Sequence, residues 1–419
     1  MIKLTHPTKI IDGKISITAS KSESNRALII QALCEKSFII TNLANAQDTQ
    51  TLQEILVDSK NKTTDKNEHI YNVGAAGTTM RFLTAFFSVK KGTYILTGSE
   101  RMKKRPIGIL VQALRKLGAK IEYMGEDGFP PLKIYGGELH GGNIEIEGNV
   151  SSQFITALLL IAPKLKNGLS LKLKGYVTSS PYIQMTLKMM EAFQVKSVWN
   201  NNQIDTWKQD YNIEDNAQFT YNIEGDWSAA SYWYSIVALS QKADLVIYGL
   251  KQSSFQGDKA IADIFVGLGV ETIFLENKIQ LRKTQVDIKM FEYDFVNCPD
   301  LAQTVAVVVS GLNIPAIFNG LHTLKIKETD RSLALKTELN KLGVNVEILN
   351  DNSIKIAPSP DLKTPNYIVT YEDHRMAMAF APLALKLNFL VIAKPEVVKK
   401  SYPNFWHDLK QNGFKIENI

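Results

Sequence analysis

Apolar and polar residues alternate along Lys14-Ile15-Ser16-Ile17-Thr18-Ala19, and a period of two predicts a strand. The polar stretch Lys21-Ser22-Glu23-Ser24-Asn25-Arg26 follows as a turn and opens the apolar run Ala27 to Leu33, which predicts a helix. Further apolar helices are predicted for Phe82 to Phe87, for Phe154 to Ala162 and from Leu301 onward. One junction keeps returning: the end of an amphipathic helix, a glycine, then a strand. It reads Leu117-Gly118-Ala119-Lys120-Ile121-Glu122, then Leu268-Gly269-Val270-Glu271-Thr272-Ile273. It returns as Leu342-Gly343-Val344-Asn345-Val346-Glu347 and as Asn412-Gly413-Phe414-Lys415-Ile416-Glu417. Phe193-Gln194-Val195-Lys196-Ser197-Val198 keeps the shape without the glycine. Taking Gly118, Gln194, Gly269, Gly343 and Gly413 as markers, the spacings are 76, 75, 74 and 70 residues.

Glycine just past a helix adopts the left-handed conformation without strain, so each copy alone is an ordinary stop. Five in step are a repeat. The first unit is predicted to end near Leu52 to Val57, followed by a polar loop from Asp58 to Glu68. The period is too long for a solenoid, so each unit reads as a small α/β subdomain with two helices and several strands. Six units of about 70 residues account for all 419 and divide three and three into two domains.

Composition narrows the class. The chain is 45% hydrophobic and 21% charged, values typical of a soluble globular protein. The net charge of +6 is spread along the chain. No basic block with interleaved aromatics marks a nucleic-acid surface, and a modest basic excess suits small anionic substrates. Cys34 and Cys298 are the only cysteines, too few for a disulfide framework or a zinc site. The start lacks the apolar core of a signal peptide, and the run Phe154 to Pro163 is too short to span a bilayer. The expectation is a cytoplasmic protein.

Charge gathers where helices are predicted to begin. Besides Lys21 and Arg26, these starts include Gly74-Ala75-Ala76-Gly77-Thr78-Thr79-Met80-Arg81 and the run Arg101-Met102-Lys103-Lys104-Arg105. Ser151-Ser152-Gln153, Ser179-Ser180-Pro181-Tyr182 and Pro299-Asp300 are donor-rich or acidic starts. Lys327-Glu328-Thr329-Asp330-Arg331, Tyr371 to Arg375 and Lys399-Lys400 complete the set. A helix N-terminus favours anions, so cations placed there repeatedly imply bound anions shared between side chain and dipole. Asp300 reads either as an N-cap or as a base at the mouth of an anion site.

These motifs, in this order, strongly resemble the 5-enolpyruvylshikimate-3-phosphate synthase family: Lys21-Ser22-x-Ser24-Asn25-Arg26, Gly77-Thr78-x-Met80-Arg81, Arg105-Pro106-Ile107, Ser151-Ser152-Gln153, Lys327 to Arg331 and Asp373-His374-Arg375-Met376-Ala377. Gly225-Asp226 and Gln256-Gly257-Asp258 also fit, and the match runs from about Lys14 to Pro403. The resemblance implies an α/β fold, a two-domain inverse α/β barrel with six repeated α/β units, three per domain. Residues 1–19 plus 226–419 would form a discontinuous domain and 20–225 an inserted one, with the active site in the cleft between.

The implied reaction moves the enolpyruvyl group of phosphoenolpyruvate to the 5-hydroxyl of shikimate 3-phosphate. It needs no metal or organic cofactor and no partner beyond these two small molecules, and the implied state is a monomer. By motif position, Lys21, Ser22, Arg26, Ser151, Ser152, Gln153, Ser179, Asp300, Thr323 and Lys327 would hold shikimate 3-phosphate. Lys21, Gly77, Arg105, Gln153, Arg331, Arg375 and Lys400 would hold phosphoenolpyruvate. Asp300, Glu328 and Lys21 would carry the proton transfers. The chain departs from the family's usual pattern at Ala75 (asparagine), Ser180 (lysine), Phe82 (proline) and Thr323 (asparagine).

Two other readings stay open on the sequence. The sister family that acts on a UDP-linked amino sugar usually has a reactive cysteine or an aspartate in the loop matching Ser99 to Arg105, and neither is present. A non-catalytic anion binder would have no need of Asp300, Glu328 and Lys21 together.

Overall fold

A computed structural model of the chain describes residues 1–61, 68–213 and 219–419. All five junction markers have positive φ: 106° at Gly118, 62° at Gln194, 80° at Gly269, 86° at Gly343 and 92° at Gly413. Each closes its helix with the same bonds. The residue after the marker donates its N–H five positions back: Ala119 to Leu114 (3.0 Å), Val195 to Met190 (3.0 Å), Val270 to Phe265 (3.0 Å), Val344 to Leu339 (3.2 Å) and Phe414 to Leu409 (3.1 Å). This double-bonded stop is the Schellman motif. Gln194 takes the left-handed conformation at a cost of about 1–2 kcal/mol, so the repeat keeps its shape where its glycine is lost.

The strands define what repeats. In residues 68–136, Glu68–Asn72 and Gly92–Thr97 pair in parallel and are joined by the helix Gly77–Val89. A second long helix, Gly108–Lys116, leads to Lys120–Tyr123 and Leu132–Gly136, which add antiparallel in the order first, second, fourth, third. Residues 142–206 and 291–357 repeat this order. A fourth copy pairs Ile10–Ser16 in parallel with Lys242–Tyr248, the inserted residues lying between its first two strands. In a fifth, Ile368 bridges in parallel to Ile392, and the opening strand Ile2–Thr5 pairs antiparallel with both Leu390–Ile392 and Lys415–Asn418. The sixth shows its parallel pair, Ile39–Thr41 with Thr220–Asn222.

Chain contacts divide the molecule into two compact units, Met1–Ser20 with Glu224–Ile419 and Lys21–Ile223, and three of the six sheets fall in each. The joining helices are buried almost all round. Gly77–Val89 buries every residue but Thr78 and Val89, Trp227–Leu239 every residue but Ser228, and His374–Phe380 all of them. A helix of that kind belongs in a core. In Lys21–Ile223 the helices Lys21–Leu33, Gly77–Val89 and Ser152–Ile161 pack on one another; in the other unit Trp227–Leu239, Ala302–Gly311 and His374–Phe380 do so. The sheets lie outside them with one face to solvent, as the alternating burial of Glu68–Asn72 shows. Helices inside and sheets outside make the inverse barrel.

Four expectations need correction. The strand before Lys21 is Ile10–Ser16, and Lys21 to Arg26 are the first turns of the helix Lys21–Leu33 instead of a turn ahead of it. Asp58 to Lys60 belong to the helix Gln47–Asn61, residues 62–67 of the expected loop lie outside the described residues, and Glu68 opens a strand. The basic run is partly helical itself, Glu100–Lys103, capped by the Ser99 hydroxyl. Asp300 is no N-cap; Leu301 holds that position at Ala302–Gly311. Among the described residues no helix is long and apolar enough to cross a membrane.

Candidate active site

The three core helices of each unit pack on one another, and charged residues gather at their starts and on the neighbouring segments that carry Arg105, Lys327 to Arg331 and Lys400. In Lys21–Ile223, Gln153 Nε2 donates to Thr78 Oγ1 at 3.0 Å, joining the starts of Ser152–Ile161 and Gly77–Val89. A Cβ on Gly77 would lie 2.5 Å from Arg105 Nη1 and 2.8 Å from Nη2, so the guanidinium rests on the glycine itself. Arg81 ties the same loops, donating from Nη1 to the Gly77 carbonyl (3.0 Å) and from Nη2 to that of Pro106 (3.3 Å). Lys21 Nζ lies 3.2 Å from Asp48 Oδ2, a buried carboxylate.

Arg26 is buried and, among the described residues, bonded only to neutral oxygens. Its Nη1 donates to the Ser22 carbonyl (2.7 Å), Nε to Thr186 Oγ1 (2.8 Å), and Nη2 to Thr156 Oγ1 and the Tyr182 carbonyl (both 3.3 Å). The ring of Phe82 lies under it, 5.7 Å from centroid to Cζ. Burial without a hydrogen-bonded carboxylate lowers its pKa to about 10. A buried cation of this kind gains from an arriving anion. Ser179 is held at φ 54° before Ser180–Ala192 and makes no side-chain cap, which leaves its hydroxyl for something else. Ser151 does cap Ser152–Ile161, weakly, at 3.4 Å from Gln153 N.

The other unit matches cations to carboxylates. Asp300 Oδ1 accepts from Arg331 Nη1 at 2.8 Å, Asp300 Oδ2 accepts from Arg375 Nη2 at 2.9 Å, and Lys327 Nζ lies 3.4 Å away. Glu328 accepts from Arg331 Nη2 at 3.0 Å and from Lys400 Nζ at 2.8 Å. Asp373 Oδ2 accepts from Arg331 Nε at 2.7 Å, and Asp373 Oδ1 from the Arg375 N–H at 2.9 Å as the cap of His374–Phe380. Burial pushes the Asp300 carboxyl up, but Arg375, Lys327 and Arg331 outweigh it and hold it well below the usual range. Arg375 also reaches Ser228 Oγ and Tyr232 OH, both at 3.4 Å, on Trp227–Leu239. Thr323 Oγ1 is buried without a hydrogen-bond partner among the described residues.

The residues expected at the site therefore form two clusters, one per unit. Lys21, Ser22, Arg26, Gly77, Arg105, Ser151, Ser152, Gln153 and Ser179 belong to Lys21–Ile223; Asp300, Thr323, Lys327, Glu328, Arg331, Arg375 and Lys400 belong to the other unit. Sequence reasoning missed Asp48 and the Phe82 ring, whose roles exist only in three dimensions. It quoted Asp373 and Arg81 inside motifs without giving them work, although an acid directly before His374-Arg375, at a predicted helix start, was a usable signal.

A family model described as EPSP synthase (3-phosphoshikimate 1-carboxyvinyltransferase) matches residues 5–409. A 3-phosphoshikimate 1-carboxyvinyltransferase of Bacteroides fragilis is 48% identical over 416 residues, covering 99% of this chain and 98% of the relative. One of Sulfurovum sp. is 36% identical over 422 residues, covering 96% and 97%. The solved EPSP synthase of Acinetobacter baumannii superposes with a TM-score of 0.78 at 19% identity, over 100% of both chains, and shares the fold. With nearly its whole length matched in sequence, and the fold shared, the chain belongs to the EPSP synthase (3-phosphoshikimate 1-carboxyvinyltransferase) family.

Proposed function

We propose that both clusters serve one reaction on two anionic substrates. The chain transfers the enolpyruvyl group of phosphoenolpyruvate to the 5-hydroxyl of shikimate 3-phosphate and releases phosphate, in the shikimate pathway to chorismate and the aromatic amino acids. The observation that carries the assignment of the site is Asp300: a carboxylate ringed by Arg331, Arg375 and Lys327 puts a base and an anion seat in one place.

The chemistry distributes the roles. The 5-hydroxyl attacks C2 of phosphoenolpyruvate and gives its proton to Asp300, while C3 takes a proton and becomes a methyl group. In the tetrahedral intermediate, C2 carries both the phosphate and the new ether oxygen. Loss of a proton from C3 re-forms the double bond as the C2–O bond to phosphate breaks. Glu328 and Lys21 handle the proton at C3. Arg26, Lys21, Ser22, Ser151, Ser152, Gln153, Ser179, Thr323 and Lys327 hold shikimate 3-phosphate. Lys21, Gly77, Arg105, Gln153, Arg331, Arg375 and Lys400 hold phosphoenolpyruvate, whose phosphate and carboxylate suit guanidinium forks. The reading includes a monomer in the cytoplasm with no nucleic-acid or membrane partner.

The deciding assay is phosphate release from phosphoenolpyruvate, with shikimate 3-phosphate in one reaction and UDP-N-acetylglucosamine in another. Release with shikimate 3-phosphate alone is expected; release with the nucleotide sugar alone would reassign the acceptor. A further expectation concerns Arg26. A cation over an aromatic face gains about 0.5–2 kcal/mol, so Phe82→Leu should raise the KM for shikimate 3-phosphate by about 2- to 30-fold, with kcat and the KM for phosphoenolpyruvate little changed. Phe82→Tyr should restore it. Equal loss for both substrates would instead mark a general packing defect.

A further inference from the structure

The cations of the second cluster are already occupied. Arg331 spends all its nitrogens on carboxylates: Nε on Asp373, Nη1 on Asp300, Nη2 on Glu328 and Asp373. Its side chain is 2% exposed. A guanidinium so committed can present a paired edge to phosphoenolpyruvate only if a carboxylate leaves.

The three are not equally free to go. Asp373 is fully buried and fixed twice, by Arg331 and as the cap over Arg375 N–H. Asp300 and Glu328 are 21% and 14% exposed; Asp300 sits in the single 3-10 turn Pro299–Leu301 that leads into Ala302–Gly311, and Glu328 in the bend ahead of Arg331–Lys341. Arg375 would keep its place without the Asp300 carboxylate, because Ser228 Oγ, Tyr232 OH and the Asp300 carbonyl also accept from it, each at 3.4 Å. Ser228 in turn donates to buried Asp258.

We propose that in the ligand-free chain Asp300 and Glu328 occupy the phosphoenolpyruvate seats on Arg331, Arg375 and Lys400. Phosphoenolpyruvate takes these cations over, and both carboxylates become bases only once it is bound. The inference rests on the assignment of these three cations to phosphoenolpyruvate. It has a direct thermodynamic consequence. Self-occupied seats reduce the apparent affinity by the fraction of time they stand empty. A carboxylate stripped of its cations also regains proton affinity, which suits Asp300 for taking the hydroxyl proton at that moment.

The test is a calorimetric titration of phosphoenolpyruvate into the chain saturated with 5-deoxyshikimate 3-phosphate, which lacks the attacking hydroxyl, so no turnover intervenes. Asp300→Asn and Glu328→Gln should each bind phosphoenolpyruvate about tenfold tighter than the native chain, as expected if the native seats stand open about a tenth of the time. Asp373→Asn removes an equal charge from Arg331 but frees no seat, so it should bind no tighter. Where that variant does not fold, the first two are compared at low and high salt. A long-range charge effect is screened, whereas exchange at contact distance persists. Unchanged or weaker binding by Asp300→Asn and Glu328→Gln overturns the proposal, as does equal tightening by all three or tightening that salt abolishes. A native chain that releases no phosphate with both true substrates would instead overturn the functional assignment, a different failure.

Discussion

Asp300→Asn should lower kcat by about 10²- to 10⁴-fold, the range for losing a general base, while the KM for phosphoenolpyruvate falls. The two effects have one source. Asparagine is nearly isosteric, so the 5-hydroxyl and the cations keep their places, but an amide cannot accept the hydroxyl proton. The amide also holds Arg331, Arg375 and Lys327 less strongly than a carboxylate does, and the substrate meets less competition for them. The fold should survive. Arg331 keeps Asp373 and Glu328, and Arg375 keeps Ser228 and Tyr232. Phosphate release measured across phosphoenolpyruvate concentrations gives both constants, and circular dichroism melting checks the fold. Near-native turnover in a folded variant would remove Asp300 from the proton path. A drop in kcat with a raised KM would keep it as a base and refute its role as the resident of the seat.

The six-unit architecture was legible because it rests on local chemistry. A left-handed residue after a helix is needed for each Schellman stop, glycine fills four of five positions, and their spacing exposes the period. Sheet order and the central place of the joining helices followed less directly. Trp227–Leu239 and His374–Phe380 carry apolar residues on more than one face, a signal of burial that periodicity alone does not give. The helix start at Lys21 was misplaced because Lys21 to Arg26 is polar and reads as a turn, whereas Arg26 is buried through contacts with Thr156, Thr186 and the Tyr182 carbonyl, 130 to 160 residues on. The same limit hid Asp48 and the place of the Phe82 ring under Arg26.

The two clusters hold their charge differently. Around Arg26 the acceptors are neutral oxygens and the ring of Phe82 holds the guanidinium in place, so an arriving anion displaces no carboxylate there. Around Arg331 three carboxylates balance the charge, so the seat is filled and an anion must compete for it. One cluster is built to capture, the other to exchange. That difference could not be read from the motifs, which carry arginine in both.

Gly77→Ala should raise the KM for phosphoenolpyruvate by about 10- to 100-fold without weakening the fold. The added methyl would sit 2.5 Å from Arg105 Nη1 and 2.9 Å from Cζ, closer than real contacts allow, so the guanidinium has to move. Moving the end of a long side chain is cheap for stability, and Gly77 is the first residue of Gly77–Val89, where alanine has the better helix propensity. The loss falls instead on whatever anion Arg105 holds. A hydrogen bond to a charged group contributes about 1.5–3 kcal/mol, and each 1.4 kcal/mol is a factor of ten in affinity. Most of the proposed shikimate 3-phosphate residues lie on other turns, with Gln153, bonded to Thr78, shared, so its KM should change far less than that for phosphoenolpyruvate. Steady-state kinetics with each substrate varied in turn, beside a melting curve, separates the outcomes. An unchanged KM for phosphoenolpyruvate would mean that Arg105 does not hold it, whereas a lowered melting temperature with both KM values raised would mean that Gly77 serves packing instead of the anion seat.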